Sequence, residues 1–334
     1  MQTDVLIFGQ GIAGTLLSAA LLRQGRSVLV IDQAAPQQSS LVAAAVINPL
    51  TGKHWTPARD TASLTPLAIA AYKSMEQLLH SSFLYEKPLL VFLRSKEEEQ
   101  VFLRQIESQN PYTSLLSAGE AQQLPLRHTG GYHTGKIAPV YTVDAALLLQ
   151  KWRSYLQSRS SFLEDPVNMD ELVLHKGKVC YKDICADKAV LCTGAAGRGS
   201  AFFPGLPFTP NRGDALLLSI PGLPSDFLYQ KGIRLVPRSD GLFWCGSNYT
   251  WKYSDLQADL SWRQKTWSGL TDWLKLPFEL ADHLVAERPT TAGQVPVLAQ
   301  HSQWPQLFCF NGLGTRGFSA GPQLAQKMAE MILS

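Results

Sequence analysis

The chain has 334 residues, 45% of them apolar and 17% charged, with a formal net charge of +3. Such a length and composition describe an ordinary globular protein of one large domain or two medium ones. The charge is too small to argue for nucleic acid on electrostatics alone, and the chain has no run of about 18 apolar residues that would span a membrane.

The chain opens "MQTDVLIFG", with Asp4 and no basic stretch before the apolar residues, so it reads as a first strand and a cytoplasmic protein is expected. The segment "VLIFGQGIAGTLLSAALLRQGRSVLVID" then gives strand, glycine turn, helix, Gly25 as a helix stop, and a second strand. It is a complete βαβ unit of about 30 residues. A helix is predicted over 61–80 from its apolar spacing. From 86 to 135 the texture changes, with the short apolar run "KPLLVFLR", the helix "KEEEQVFLRQIES" and Gly-, Pro- and Tyr-rich pieces.

Helical pattern returns over 142–157, with Thr142 or Asp144 as its cap. Short strands follow, the last being "KAVLCTG", which runs apolar into a glycine. Over 206–285, segments such as "ALLLSI", "GIRLVPR" and "LFWCGSNY" predict antiparallel strands, followed by a Trp-rich helix from about Leu256 to Leu274. The final piece, "LFCFNGLGTRGFSAGPQLAQKMAEMIL", is again strand, glycine turn and helix. Nucleotide-fold pieces thus stand at the start, middle and end, separated by two insertions of mixed character.

Gly9, Gly11 and Gly14 have the G-x-G-x-x-G spacing directly after a strand and at a helix start. The first permits a tight turn, the second lets a pyrophosphate approach the backbone, and the third allows close packing of helix on strand. Ile12 and Ala13 open the helix, whose free N–H groups and positive dipole end suit a phosphate. Asp32, with Gln33 beside it, closes the second strand where a carboxylate accepts from a ribose hydroxyl pair and disfavours a 2′-phosphate. A second G-x-G-x-x-G is missing in midchain, since "CTGAAGRG" has the wrong spacing, and the βαβ repeats stop after the first unit. One dinucleotide, held as a permanent prosthetic group, is the expectation.

The sequence resembles the FAD-dependent D-amino-acid oxidase and glycine oxidase family over nearly its whole length. The resemblance is carried by "GQGIAG" with "VLVID", "SSLVAAAVINP", "AVLCTGAA", "RGDALLL", "RLVPRSDGLFWCGSNYT", and "RPTTAGQVPVL" with "GLGTRGFSAGP". It implies an α/β fold, a discontinuous Rossmann-like FAD-binding domain of glutathione-reductase type (1–85, 136–205 and 286–334). Into it an antiparallel-sheet α+β substrate domain (86–135 and 206–285) is inserted. It implies non-covalent FAD, with Ser39 and Ser40 at the pyrophosphate and Ala44, Ala45, Val46 and Asn48 beside the flavin ring. Val167 falls at the adenine, and Thr193 and Gly194 where the chain turns at the cofactor. Ala45 stands where the family commonly has glycine.

The same resemblance puts the turn Gly312, Gly314, Thr315, Arg316, Gly317 and Phe318 at the pyrimidine end of the flavin. Backbone N–H donors at a helix start there stabilise negative charge developing at N1 and the C2 oxygen. Arg288 falls where the family holds the substrate carboxylate, a task suited to its forked donors, and Arg316 where the glycine oxidase branch has a second pocket arginine. Tyr229, Lys231, Tyr249 and Trp251 are candidates for the pocket roof.

The implied reaction is oxidation of an amine C–N bond by hydride transfer to flavin N5, with hydrolysis of the resulting imine and reoxidation by O2 or another acceptor. "GLGTRG" is also similar to the turn in the oxidase domain of bifunctional enzymes that process carboxymethylaminomethyl-uridine in tRNA, which keeps a tRNA substrate as an alternative. A non-catalytic flavin-binding protein is the rival of another class. No Ser-His-Asp or metal-ligand arrangement is visible. The five cysteines include no C-x-x-C pair. Cys180 and Cys185 face each other across a Lys182-Asp183 turn, but free thiols are expected in a reducing cytosol.

Overall fold

In the computed structural model, which describes every residue except 1, 34, 36, 59, 128–130 and 176, the first βαβ unit forms as its glycines dictate. The strand Gln2–Phe8 pairs in parallel with Val28–Asp32 on one side and Ile184–Leu191 on the other. Phe162–Glu164 extends the sheet beyond Val28–Asp32, and Leu307–Asn311 lies parallel to the end of Ile184–Leu191. Five parallel strands drawn from the start, middle and end of the chain therefore share one sheet. An antiparallel hairpin, Leu172–His175 with Lys178–Tyr181, borders the other half of Ile184–Leu191.

Successive residues of a strand face opposite sides, and both faces of this sheet are covered. Val5, Ile7, Val28, Val30 and Phe308 pack into a core with the helices Ile12–Arg23, Thr61–Leu79, Ala145–Ser158 and Gly317–Leu333, while Leu6, Phe8, Leu29 and Ile31 enter a second core. Asp144, one of the two expected caps, accepts from the Leu147 N–H at 3.0 Å. The first and last helices approach closely, because β-carbons on Gly317 and Gly321 would stand 3.0 Å from Ile12 and 2.8 Å from Leu16.

The second large sheet has eight strands, in the order Glu279–Arg288, Asn211–Ser219, Phe243–Gly246, Ile233–Pro237, Leu228–Lys231, Leu89–Phe92, Thr134–Ile137 and Thr113–Leu115. Its pairings are antiparallel except that Leu228–Lys231 runs parallel to Leu89–Phe92. The helix Leu260–Trp273, capped by Asp259, packs with one face of this sheet in a core that includes Leu90, Leu216, Leu235 and Trp273. The other face packs Leu89, Val91, Leu217 and Leu228 with Leu50, Trp55 and Phe102.

The cysteine expectation is corrected. Hairpin register sets Cys180 directly opposite Cys185, with Cα atoms 4.1 Å apart, and the two form a disulfide. Cys192, Cys245 and Cys309 are free and buried. Among the described residues, no helix is long and apolar enough to cross a membrane.

Candidate functional site

A cavity of about 1000 Å3 runs between the two sheets, from the first glycine turn to the start of the last helix. Its volume lies at the upper end of the range for ligand sites. One end is built by Gly9, Gly11 and the opening of the first helix. A β-carbon on Gly9 would meet the Cys192 carbonyl oxygen at 2.5 Å, and one on Gly14 would come within 1.9 Å of the Gly9 carbonyl oxygen. Gly14 does not line the cavity; it lets the helix seat on the strand, the task expected of the third glycine. Ser40 Oγ accepts from the Ile12 N–H at 3.0 Å, so a helix-start donor already points to where Ser39 and Ser40 reach the cavity.

Asp32 and Gln33 line the same end, as do Val167, Thr193 and Gly194. A residue that the sequence did not single out fixes Asp32. Arg153 donates from Nη2 to the Asp32 carboxylate at 2.8 Å and from Nε to Gln10 Oε1 at 2.7 Å, with its guanidinium over the Phe162 ring. Burial raises the Asp32 carboxyl above its ordinary value, and hydrogen bonding from the Gln10 backbone together with the Arg153 charge opposes that rise.

Along the middle of the cavity run Ala43 to Val46. Trp244 Nε1 donates to the Val42 carbonyl at 2.9 Å and pins this segment to the second sheet. Ala45 has φ 50°, a left-handed conformation that costs an alanine about 1–2 kcal/mol and that a glycine adopts freely. Asn48 is not part of the wall: its Oδ1 accepts from the Leu50 N–H at 3.1 Å within a turn.

At the far end stand Leu313, Gly314, Thr315, Gly317 and Phe318. Gly312 lies behind them, where a β-carbon would meet Thr291 at 2.8 Å. Arg316 closes a 3-10 turn just before the last helix; it is exposed and lies outside the cavity wall. The turn sends Gly317 inward against Ile12, and the residue before it faces outward. The expectation of a second pocket arginine at 316 is therefore corrected. Tyr72 donates to the Phe318 carbonyl at 2.9 Å and anchors this helix start from the core.

Arg288 ends its strand and turns its guanidinium over Gly213 of the neighbouring strand. A β-carbon at 213 would fall 1.9 Å from Nη2 and 2.2 Å from Cζ. Nη1 donates to Asn211 Oδ1 at 2.7 Å, Nη2 to Ser247 Oγ at 2.8 Å, and the Tyr249 ring stacks on the group with 4.6 Å from Cζ to its centroid. No carboxylate of the described residues forms an ion pair with it. Burial lowers the guanidinium below its ordinary value, with Tyr249 and Asp214 acting the other way. The group is thus fixed in orientation by neutral hydrogen-bond partners, with no carboxylate of the described residues bonded to it. Asn211 Nδ2 also donates to Thr290 Oγ1 at 3.0 Å, and the Gly314 N–H donates to the Pro289 carbonyl at 3.2 Å, which ties the arginine to the glycine turn.

The loop carrying Ser247 and Tyr249 is bolted from behind. The buried Asp214 carboxylate accepts from Asn248 Nδ2 at 3.0 Å and from the Asp259 N–H at 2.8 Å, and lies 3.1 Å from His283 Nε2. Tyr249 is 55% exposed, at the cavity mouth. Tyr229 is fully buried on the opposite face of the sheet, with its hydroxyl donating to the Pro224 carbonyl at 2.7 Å. The expectation that it contacts substrate is corrected: strand phase sends it into the helix-covered core and brings Gln230 to the cavity instead. Lys231 shares that outward phase, away from the large cavity, and Trp251 is exposed.

Gly213→Ala is a direct probe of this arrangement. The clash is with the tip of a flexible side chain, so the fold should survive while the guanidinium is displaced. Expected is a protein with unchanged thermal midpoint and bound cofactor but affinity for carboxylated ligands weakened about tenfold or more; wild-type affinity would show that Arg288 does not work from over Gly213.

Residues 4–331 match the DAO family, described as FAD dependent oxidoreductase. Among solved structures, the chain is similar to iminodiacetate oxidase from Chelativorans sp. BNC1 at 22% identity and TM-score 0.80, covering 99% of this chain and 95% of that one. Glycine oxidase from Bacillus cereus ATCC 14579 superposes with TM-score 0.82 at 16% identity, covering 99% and 97%. L-amino acid deaminase from Proteus vulgaris does so with TM-score 0.80 at 14% identity, covering 99% and 94%. At these identities the likeness shows the shared fold.

The residues present fit FAD. A cradle that β-carbons on Gly9 and Gly14 would fill lies at one end, a carboxylate stands at the second strand's end, and a second helix start faces the other end of the same continuous cavity.

Proposed function

Because the chain belongs to the DAO family of FAD-dependent oxidoreductases, we propose that it oxidises the C–N bond of a small amine bearing a carboxylate, an amino acid or an N-substituted glycine. The observation that carries this reading is Arg288: a cation lining the cavity, oriented by Asn211 and Ser247, stacked on Tyr249 and lacking an acidic partner among the described residues. A planar guanidinium held this way matches a carboxylate with two parallel hydrogen bonds. The names of the structural neighbours, an iminodiacetate oxidase, a glycine oxidase and L-amino acid deaminases, support the same class of substrate.

FAD, when bound, supplies the hydride acceptor. Gly9, Gly11 and the first helix would hold its pyrophosphate, Asp32 its ribose, and the segment 313–318 the pyrimidine end of its ring. Arg288 anchors the substrate carboxylate and so fixes which hydrogen of the adjacent carbon faces the ring. Such a reaction needs chiefly orientation, which is worth several kcal/mol when reactants are pre-aligned. Ala44, Ala45, Val46 and Phe318 contribute apolar wall to the same cavity. The imine product is then hydrolysed, and turnover requires O2 or another electron acceptor.

The test is anaerobic mixing of the FAD-loaded protein with glycine, N-methylglycine, iminodiacetate and L- and D-amino acids, alongside matched amines without a carboxylate. Loss of the oxidised flavin absorbance with carboxylated amines only is the expected result. Equal bleaching by the uncharged amines would remove the role of Arg288. Retained flavin that no amine reduces would favour a non-catalytic flavin-binding protein.

A further inference from the structure

Besides Arg288, the cavity wall carries Arg198 and Arg234, and of these Arg234 lies on the same sheet as the carboxylate anchor. It is paired in register with Gly246, which is in turn paired with Ala215. Residues opposite one another in adjacent strands share a face. Arg234, Gly246, Ala215 and, two residues along, Gly213 therefore face one way. Arg288 lies over Gly213 on that same face, two strands across and two residues along from Arg234.

The Arg234 guanidinium donates from Nε at 3.2 Å and from Nη2 at 2.8 Å to one acceptor, Gln230 Oε1. Gln230 is neutral, and no carboxylate of the described residues pairs with Arg234. An arginine has five N–H donors, so the bonds to Gln230 orient the group and leave its remaining N–H groups directed elsewhere. Burial lowers its pKa below the ordinary value, and Tyr249, whose ring stacks on Arg288, acts on it from the mouth of the cavity. A partly buried cation facing a cavity without a counter-charge is costly unless a ligand supplies one.

We propose that Arg234 is a second anion subsite, so that the substrate carries a further carboxylate, or an equivalent anionic group, beyond the one held by Arg288. The substrate class is then an aminodicarboxylate, in which the reacting C–N bond lies on the carbon next to the Arg288-bound carboxylate and the second anionic group reaches toward Gln230 and Arg234. The proposal rests on the reading of Arg288 as the carboxylate anchor. It makes Arg234 a specificity-determining residue, with Gln230 as the residue that positions it.

The test uses unreactive ligands on the FAD-loaded protein. Acetate and butyrate are compared with malonate, succinate and glutarate by titration calorimetry and by perturbation of the flavin spectrum, in the wild type, Arg234→Gln, Arg234→Lys and Arg288→Met. The wild type should prefer at least one dicarboxylate over the monocarboxylates by about ten- to hundredfold. Arg234→Gln should erase that preference while changing monocarboxylate affinity far less, and Arg234→Lys should restore part of it. No dicarboxylate preference in the wild type, or an equal loss for both ligand classes in Arg234→Gln with FAD still bound, overturns the proposal. If Arg234→Gln loses FAD or its thermal midpoint, the wild-type preference and Arg234→Lys decide: absence of the preference in the wild type, or its full loss in a folded Arg234→Lys protein, sinks it. Retained monocarboxylate binding in Arg288→Met would instead overturn the anchor reading itself.

Discussion

Arg288→Met is expected to reduce kcat/KM for carboxylated amines by about thirtyfold or more, while the protein purifies with FAD bound. The magnitude follows from removing a hydrogen-bonded cation opposite a desolvated carboxylate, which costs roughly 2–5 kcal/mol, with each 1.4 kcal/mol a factor of about ten. The hydrogen-bond partners of Arg288 are Asn211 and Ser247, both uncharged, so the variant strands no buried anion. Steady-state kinetics with a carboxylated amine and its uncharged analogue separate the outcomes. The loss should be confined to the carboxylated member, and an unchanged KM and kcat for that member would remove Arg288 from the binding of substrate.

Gly14→Ala should be the most damaging single methyl group in the chain. Its β-carbon would lie 1.9 Å from the Gly9 carbonyl oxygen and 3.4 Å from Ile7, and the first of these is backbone. Relief requires the first helix to move away from the first strand, which shifts the helix start that faces the cavity. Overpacking of this kind costs about 1–3 kcal/mol or more, and the visible consequence should be loss of bound FAD with a thermal midpoint lowered by several degrees. Gly25→Ala is the contrast. Gly25 has φ 75° but nothing within 4 Å of its would-be β-carbon, so it carries conformational strain alone. That strain is about 1–2 kcal/mol, and FAD should remain. Equal FAD content in the two variants would show that close packing at Gly14 does not shape the cofactor cradle.

Much of the cofactor end was legible because its signals are contiguous. A glycine that packs helix on strand, a helix start that faces the cavity and a carboxylate at the end of the next strand all follow from some 30 consecutive residues. Arg288 was legible by resemblance. The residues that hold it were not. Gly213 carries no mark in "RGDALLL" to say that an arginine from a segment 75 positions later lies on it. Arg153 looks like any surface arginine of an amphipathic helix until the helix is laid against the end of the second strand.

The departures at Tyr229 and Arg316 have separate local causes. The strand Leu228–Lys231 buries a side chain on each face, Tyr229 in the helix-covered core and Leu228 on the other side. Alternation of apolar and polar residues therefore does not reveal which phase points inward. In "LYQK" the aromatic was the natural choice, and the glutamine is the one that lines the cavity. In "GLGTRG" the residue type suited an anion site, yet a 3-10 turn before the helix rotated Arg316 to the surface and Gly317 inward.

By itself the sequence determined the local pieces: the first βαβ unit, the spacing of its glycines, the cap at Asp144 and the alternating segments of the second sheet. Hydrogen bonding and steric freedom within short stretches decide these. Tertiary structure alone decided which face of each strand looks into the cavity and which arginines stand on its wall. It also brought Cys180 against Cys185, and gave Arg288 neutral partners where an ion pair would have silenced it. Each depends on the register between strands distant in the chain, where one residue of shift turns every side chain to the other face.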